Sequence, residues 1–220
     1  MYALRQILIS VILSGAAVLH AGTITYEANV DGLNAPAGVT FSAGDDTPNL
    51  GTSYWGLRFL GLNGDLPDNG LEIRLNQSLT VTFATPQVFD YLTLGMLFDG
   101  PEYGDNQERA GAYANGSNLP FVLTALGSQA AEWSFSGATV LNLSPSTDQA
   151  SGVWKVTNPF GNLAITSLRL SPLLANTPNS SESDFGLVGF SSRSVPDLAS
   201  SAALLAMALA LLISVKRRKP

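Results

Sequence analysis

The sequence predicts an all-β protein, an antiparallel β-sandwich of the jelly-roll type, and three observations support this. Short runs rich in β-branched and aromatic residues recur between Gly, Pro, Asn and Asp. The clearest runs, Ser78–Phe83 and Ala164–Leu170, alternate apolar residues with Thr, Ser or Arg, as half-buried strands do. No helical stripe extends over three turns, and the best helical candidate, Asp105–Ala114, is short.

About a dozen short strands separated by turn signals are typical of a jelly roll. Two acidic segments, Gly44–Asn49 and Asn63–Gly70, are predicted as turns because Asp, Asn, Pro and Gly are the residues that turns require. The predicted strands, in chain order, are Thr23–Val30, Val39–Ser42, Tyr54–Leu60, Leu71–Leu75, Ser78–Phe83, Val88–Phe98, Arg109–Ala114, Phe121–Ala125, Glu132–Ser136, Thr139–Leu143, Val153–Val156, Leu163–Leu170 and Phe185–Phe190.

The charge of the central region argues against nucleic-acid binding. All 17 acidic residues lie between Glu27 and Asp197 but only six of the 11 basic ones do, which leaves this region at −11. Such a charge repels phosphate backbones. The chain has no cysteine, which excludes disulfides and thiolate metal sites, and its one histidine is His20.

The N-terminus has the pattern of a secretory signal peptide. Arg5 supplies a positive charge, Ile7–Leu19 is an apolar run, and small residues surround Ala21. We expect cleavage after Ala21, which would remove His20 and with it any mature Ser-His-Asp triad.

The C-terminus has the pattern of a membrane-spanning segment. The run Leu198–Val215 is 18 residues long and contains no charge, which is enough to cross a hydrocarbon core. Four basic residues follow, Lys216, Arg217, Arg218 and Lys219. By the positive-inside rule they stay in the cytoplasm, so the central region is expected outside.

Val195, Pro196 and Asp197 immediately precede this segment, and the whole arrangement resembles the PEP-CTERM and VPDSG-CTERM sorting signals. Leu198 and Ala199 stand where that pattern has Ser-Gly. The resemblance implies an exosortase-type processing enzyme as partner, an inner-membrane intermediate, and a final location in the envelope, on the outer surface or in the extracellular matrix of a Gram-negative-type bacterium. The alternative is a plain single-pass membrane anchor.

The predicted organisation is therefore a signal peptide at 1–21, an exported β-sandwich domain at 22–192 and a sorting tail at 193–220. An opening strand, the stretch Val88–Leu94 and a closing Ser183–Leu187 are similar to β-sandwich domains found ahead of such tags. Some of those domains look like carbohydrate-binding jelly rolls, so this second resemblance implies a polysaccharide as a possible partner.

Two kinds of binding site are predicted in the central region. No cofactor is required, but carboxylates at Asp99, Glu102, Asp105 and Glu108 could bind calcium, with an acidic, solvated loop as the plainer interpretation.

Aromatic rings suited to stacking on sugars are predicted at Tyr54, Trp55 and Tyr103, near glycine-rich loops, whereas Trp133 and Trp154 alternate with polar neighbours and are expected in the core. Tyr91 and Tyr113 were further aromatic candidates.

The predicted function is that of a non-enzymatic exported envelope or matrix protein, structural or carbohydrate-interacting. The alternative from another class is a polysaccharide-acting enzyme with a carboxylate pair drawn from Glu102, Glu108 and Glu132.

Overall fold

In the computed structural model the protein is built almost entirely of antiparallel β-strands. The structure describes residues 22–53, 56–63, 71–98, 107–127, 129–144, 152–174 and 184–195. One short helix, α1 (Ala28–Asp31), follows the first strand. The strands are β1 (Thr23–Glu27), β2 (Val39–Ser42), β3 (Thr47–Thr52), β4 (Arg58–Asn63), β5 (Leu79–Gly95), β6 (Arg109–Ala114), β7 (Phe121–Gly127), β8 (Ala130–Trp133), β9 (Thr139–Asn142), β10 (Val153–Thr157), β11 (Ile165–Leu173) and β12 (Gly186–Ser194).

Strand β5 is 17 residues long and changes partners along its length. Its beginning, up to Phe83, pairs with β2 on one side and β11 on the other. Its later part, from Gln87, pairs with β12 and β10. The first set of strands continues from β11 to β6, β7 and β8, and the second includes β1, β3, β4 and β9. All of these pairings are antiparallel.

One hydrophobic core receives side chains from both sets of strands. Phe190 lies near its centre, in ring contact with Tyr26, Phe83 and Phe89 at centroid distances of 5.6–5.7 Å. Full burial of one such side chain contributes roughly 1.5–3 kcal/mol. The strands of both sets lie within one compact unit, Thr23–Ser194.

The predicted break at Pro86 between two strands is wrong, because β5 runs through it. The β2 pairing ends at Phe83 and the β12 pairing begins at Gln87, so Pro86 falls where the ladders change. Proline has no backbone N–H, so at this change of partners its presence removes no hydrogen bond between the strands. The buried Gln87 side chain donates to the Thr85 carbonyl at 3.0 Å and stabilises the transition.

The predicted turn at Gly44–Asn49 is also partly wrong. Thr47 and the residues after it form β3, in which Pro48 lies opposite Leu62. Strand β3 is an edge strand of the sheet, and edge strands tolerate proline.

The first predicted strand is shorter than expected, whereas the predicted strand Arg109–Ala114 is confirmed as β6 with the same bounds. Strand β1 ends at Glu27, whose N–H donates to Asp31 Oδ2 at 2.7 Å and so closes the turn of α1. In β6, Ala110, Ala112 and Ala114 are buried, and the side chains of Arg109 and Tyr113 on the other side are half-buried, which is strand periodicity.

Trp133 and Trp154 are in the core as predicted, 8% and 1% exposed. Within the described ranges, no helix is long and apolar enough to cross a membrane. The predicted signal peptide 1–21 and the apolar segment 198–215 lie outside the described residues.

Candidate functional site

Most of the predicted site residues lie outside the described residues, and two, Glu108 and Val195, lie within them. Val195 follows the end of β12 directly and is half-buried. The site residues that the structure does not describe are Tyr54, Trp55, Tyr103, Asp99, Glu102, Asp105, Pro196, Asp197 and the basic residues Lys216, Arg217, Arg218 and Lys219.

The five-residue connection between β3 and β4 contains the predicted platform residues Tyr54 and Trp55. Its two ends are tied together: the Ser53 N–H donates to the Leu57 carbonyl at 2.8 Å, and the Leu57 N–H donates to Ser53 Oγ at 3.0 Å. Leu57 packs against a small apolar cluster that includes the buried Phe59. The base of this connection is therefore fixed by hydrogen bonds and packing.

Glu108 is 2% exposed and ties together the two ends of the connection that carries the other predicted calcium ligands. Its Oε2 accepts the Phe98 N–H at 2.6 Å, and its own N–H donates to the Phe98 carbonyl at 3.2 Å. The described part of the chain contains no group of three or more His, Cys, Asp or Glu side chains that could hold a metal ion. Calcium binding by the connection stays a prediction.

Glu108 and Glu132 do not form a carboxylate pair, because they lie on opposite faces of the β6–β7–β8 strands. The Ala125 N–H bonds to the Glu108 carbonyl, and Ala125 is opposite Ala131 in β8. Glu132, one position on, therefore points the other way, since successive side chains alternate. It is exposed, whereas Glu108 is buried. A pair that includes Glu102 lies outside the described residues.

The outer side of β2, β5, β11 and β6 carries two rows of polar side chains that cross the strands, and we call these rows the hydroxyl face. Side chains directly opposite each other in a ladder share a face. The first row is Thr40, Thr82 and Ser167, and the second is Ser42, Thr80, Arg169 and Tyr113.

Every side chain of the hydroxyl face is exposed or half-buried, so the face is accessible to a ligand. Buried apolar residues such as Val81 and Leu168 lie between its members along the strands and point to the core instead. The face thus consists of regularly spaced hydroxyl groups, about 5 Å apart across strands, with one aromatic ring at its end.

Arg169 and Tyr113 form a cation–π pair at that end. The Arg169 guanidinium carbon lies 3.8 Å from the centroid of the Tyr113 ring. Gly111, two residues earlier in β6, leaves room for the ring, because a Cβ atom there would lie 3.0 Å from Tyr113 Cε2. In the described part of the chain, no carboxylate lies within 4 Å of the Arg169 guanidinium nitrogens.

The outer side of β1, β12, β5 and β10 carries a second cation–π pair, with a different environment. Lys155 Nζ lies 3.6 Å from the centroid of the Tyr91 ring, and the Tyr91 hydroxyl donates to Glu27 Oε1 at 2.7 Å. Burial, and then the hydrogen bond to Glu27, raise the pKa of Tyr91 above its usual value. We call these three residues the Tyr91 network.

The sequence predicted parts of the hydroxyl face, including Tyr113 as an aromatic candidate, but not the combination of these parts. The alternation in Ser78–Phe83 and Ala164–Leu170 predicted polar outer sides for both strands. That these strands pair with each other, and that β6 adds Tyr113 beside Arg169, depends on contacts distant in sequence.

Comparison of this chain with known protein families, with curated proteins and with solved structures found no match. The functional argument therefore depends on the residues described above.

Proposed function

We propose that this chain is a non-enzymatic exported protein of the bacterial envelope or extracellular matrix whose folded region contacts polysaccharide. In this proposal Met1–Ala21 directs export, Val195–Asp197 presents the cut site to an exosortase-type enzyme, Leu198–Val215 holds the intermediate in the inner membrane, and Lys216–Lys219 fix its orientation. The sequence pattern of both ends supports this route.

We further propose that the folded region is a β-sandwich of jelly-roll type. Two sets of strands share β5, and both sets contribute to one core. Leu79 and Leu170 enter it from the first set, and Leu92 and Val156 enter it from the second. Two layers that bury their inner sides against each other account for this pattern.

The hydroxyl face is the single observation that carries the proposal of carbohydrate contact. Sugars present hydroxyl groups that exchange hydrogen bonds with Thr and Ser hydroxyls, each of which both donates and accepts. They also present apolar ring faces that pack on aromatic side chains such as Tyr113. A sheet side that presents hydroxyl groups beside a half-buried tyrosine, one face of whose ring lies against the Arg169 guanidinium, suits an extended sugar polymer.

The proposed export and processing are tested by the intact mass of the protein recovered from its native host, measured separately in membrane and surface fractions. A surface species that begins near Gly22 and ends near Asp197 supports both cleavage events. A protein that still carries Lys216–Pro220 in every fraction would contradict sorting and support the plain anchor.

The proposed carbohydrate contact is tested by affinity electrophoresis through gels that contain extracellular polymer from the host. Thr82→Val removes one hydroxyl from the middle of the first row while keeping the side-chain volume. The matched control is Thr157→Val, which changes an exposed threonine of β10 on the outer side opposite. We expect the polymer to retard the original chain and the control variant more than Thr82→Val. Equal retardation of all three proteins would contradict a role for the hydroxyl face.

A further inference from the structure

Arg169 stands out on the hydroxyl face because the described part of the chain places no group of opposite charge beside its guanidinium. It carries five N–H donors. Within the described residues, the guanidinium contacts the face of the Tyr113 ring, whose centroid lies 3.8 Å from the guanidinium carbon. Stacking restricts the guanidinium to one plane but leaves the N–H groups at its edge available.

The other cations with side-chain contacts have different partners. Arg109 donates to the Leu174 carbonyl at 3.5 Å, and two cations of the second set of strands have acidic groups close by. Arg193 Nη1 forms an ion pair with Asp90 Oδ1 at 3.2 Å. Lys155 lies over Tyr91, whose hydroxyl binds the Glu27 carboxylate. The difference marks Arg169 as the cation positioned for an anion from outside the chain.

We propose that the hydroxyl face selects carboxylated polysaccharides, with Arg169 binding a sugar carboxylate while the Thr and Ser hydroxyls bind the sugar hydroxyls. This inference rests on the proposed carbohydrate contact and assigns its ligand class. A guanidinium binds a carboxylate through two parallel N–H···O bonds, which are stronger than hydrogen bonds between neutral groups. Beside it, the Tyr113 ring offers an apolar surface to the sugar ring.

The charge of −11 over the central region does not prevent this binding. At physiological ionic strength charges are screened beyond about 8 Å, so the nearest groups decide the local potential. The two rows of the hydroxyl face contain one arginine and no acidic residue. The residues of the two rows therefore carry one positive charge and no negative charge.

The test compares polygalacturonate with the same polymer after methyl esterification, which neutralises the carboxylates and preserves the backbone. Binding of the full-length chain in detergent micelles is measured by titration calorimetry. We expect the acidic polymer to bind about tenfold more tightly than the ester, the gain from one charge-assisted pair of hydrogen bonds. Equal affinity for the two polymers would overturn the inference.

Two substitutions of Arg169 test whether its guanidinium is responsible for the preference for the acidic polymer. Arg169→Ala should abolish the preference for the acidic polymer, and Arg169→Lys should keep the charge but lose most of the preference, since lysine lacks the planar fork. Lys155→Ala removes the same charge from the other outer side and should keep the preference. Equal loss in Arg169→Ala and Lys155→Ala would overturn the inference in favour of non-specific electrostatics.

The remaining outcomes separate this inference from the function on which it rests. If the esterified polymer binds and the acidic one does not, carbohydrate contact stands and the choice of ligand class fails. If neither polymer nor the host polymer binds, the carbohydrate contact itself fails. Sulfated dextran binding as tightly as polygalacturonate would overturn the assignment of carboxylates and indicate a general anion site.

Discussion

The two outer sides of the molecule each hold a cation over a tyrosine ring, but only one of the pairs is closed by a carboxylate. In the Tyr91 network the hydroxyl donates to Glu27, and Lys155 covers the ring. On the hydroxyl face Arg169 covers Tyr113, and the described residues provide no acidic partner within 4 Å.

This difference teaches how one local motif can serve two purposes. A closed network satisfies its own donors and acceptors, so its contribution is to the stability of the fold. An open pair fixes the geometry of a charged group without neutralising it, so the contribution that we propose for it is to binding. Stability measurements should therefore respond to the Tyr91 network, and ligand measurements should respond to the hydroxyl face.

The largest expected effect comes from the core that both sides share. Phe190→Ala removes a fully buried ring that contacts three other aromatic rings. We expect the free energy of unfolding to fall by about 3–5 kcal/mol, measured by urea denaturation. Leu119→Ala, at a side chain that is 81% exposed, should change it by less than about 0.5 kcal/mol. Equal effects would contradict the position of the core.

The sequence predicted the all-β class and the core tryptophans because both depend on local patterns. Alternation along Ser78–Phe83 identifies a strand and its buried side without knowledge of its partner. Trp133 and Trp154 follow the same rule, and both are buried.

The two errors that involve proline have one cause: each proline is a valid local signal of a break or a turn, but its position in the sheet allows the strand to continue. Pro86 is a strand breaker in isolation, yet it lies where the ladders of β5 change partners. Pro48 indicates a turn in isolation, yet it lies in an edge strand. The Arg169–Tyr113 pair was not predictable for the same reason, since it joins β6 and β11 across 56 positions of sequence.

Removal of the hydrogen bond that closes the Tyr91 network should have the next largest effect. Tyr91→Phe leaves the Glu27 carboxylate without the hydroxyl that donates to it at 2.7 Å. Hydrogen bonds to charged groups contribute about 1.5–3 kcal/mol, and partial exposure places this one near the low end. Urea denaturation measures the loss.

Tyr113→Phe is the matched control for that substitution, because the structure gives the Tyr113 hydroxyl no hydrogen bond in the described part of the chain. We expect a change of less than about 0.5 kcal/mol. If both substitutions destabilise the fold equally, the distinction between a closed and an open pair fails.

Alkaline pH should weaken the fold through the same network. Burial raises the pKa of Tyr26 and of Tyr91 in the folded protein above the value of about 10 expected for the unfolded chain. The unfolded state therefore loses these protons first, and the free energy of unfolding should be constant below pH 10 and fall as the pH rises above it.

Denaturant titrations between pH 8 and pH 11 measure how the free energy of unfolding changes with pH, and we call this dependence the slope. Tyr91→Phe should reduce the fall in the free energy of unfolding to the part that Tyr26 contributes, because phenylalanine has no proton to lose. Tyr113→Phe should leave it as in the original chain. A slope that persists unchanged in Tyr91→Phe would assign the alkaline sensitivity to another group.

The smallest expected effect is on the stability of the two cation-truncation variants, and it decides how the binding experiments are interpreted. Cation–π contacts at accessible sites contribute about 0.5–1 kcal/mol, so Arg169→Ala and Lys155→Ala should each lower the free energy of unfolding by no more than that. Thermal unfolding of Arg169→Ala and of Lys155→Ala measures the loss of stability in each variant. If they are small and similar, a loss of ligand preference in Arg169→Ala alone reflects a missing binding group. If Arg169→Ala instead lowers the stability by several kcal/mol, the arginine supports the sheet itself, and the hydroxyl face is a structural surface like the Tyr91 network.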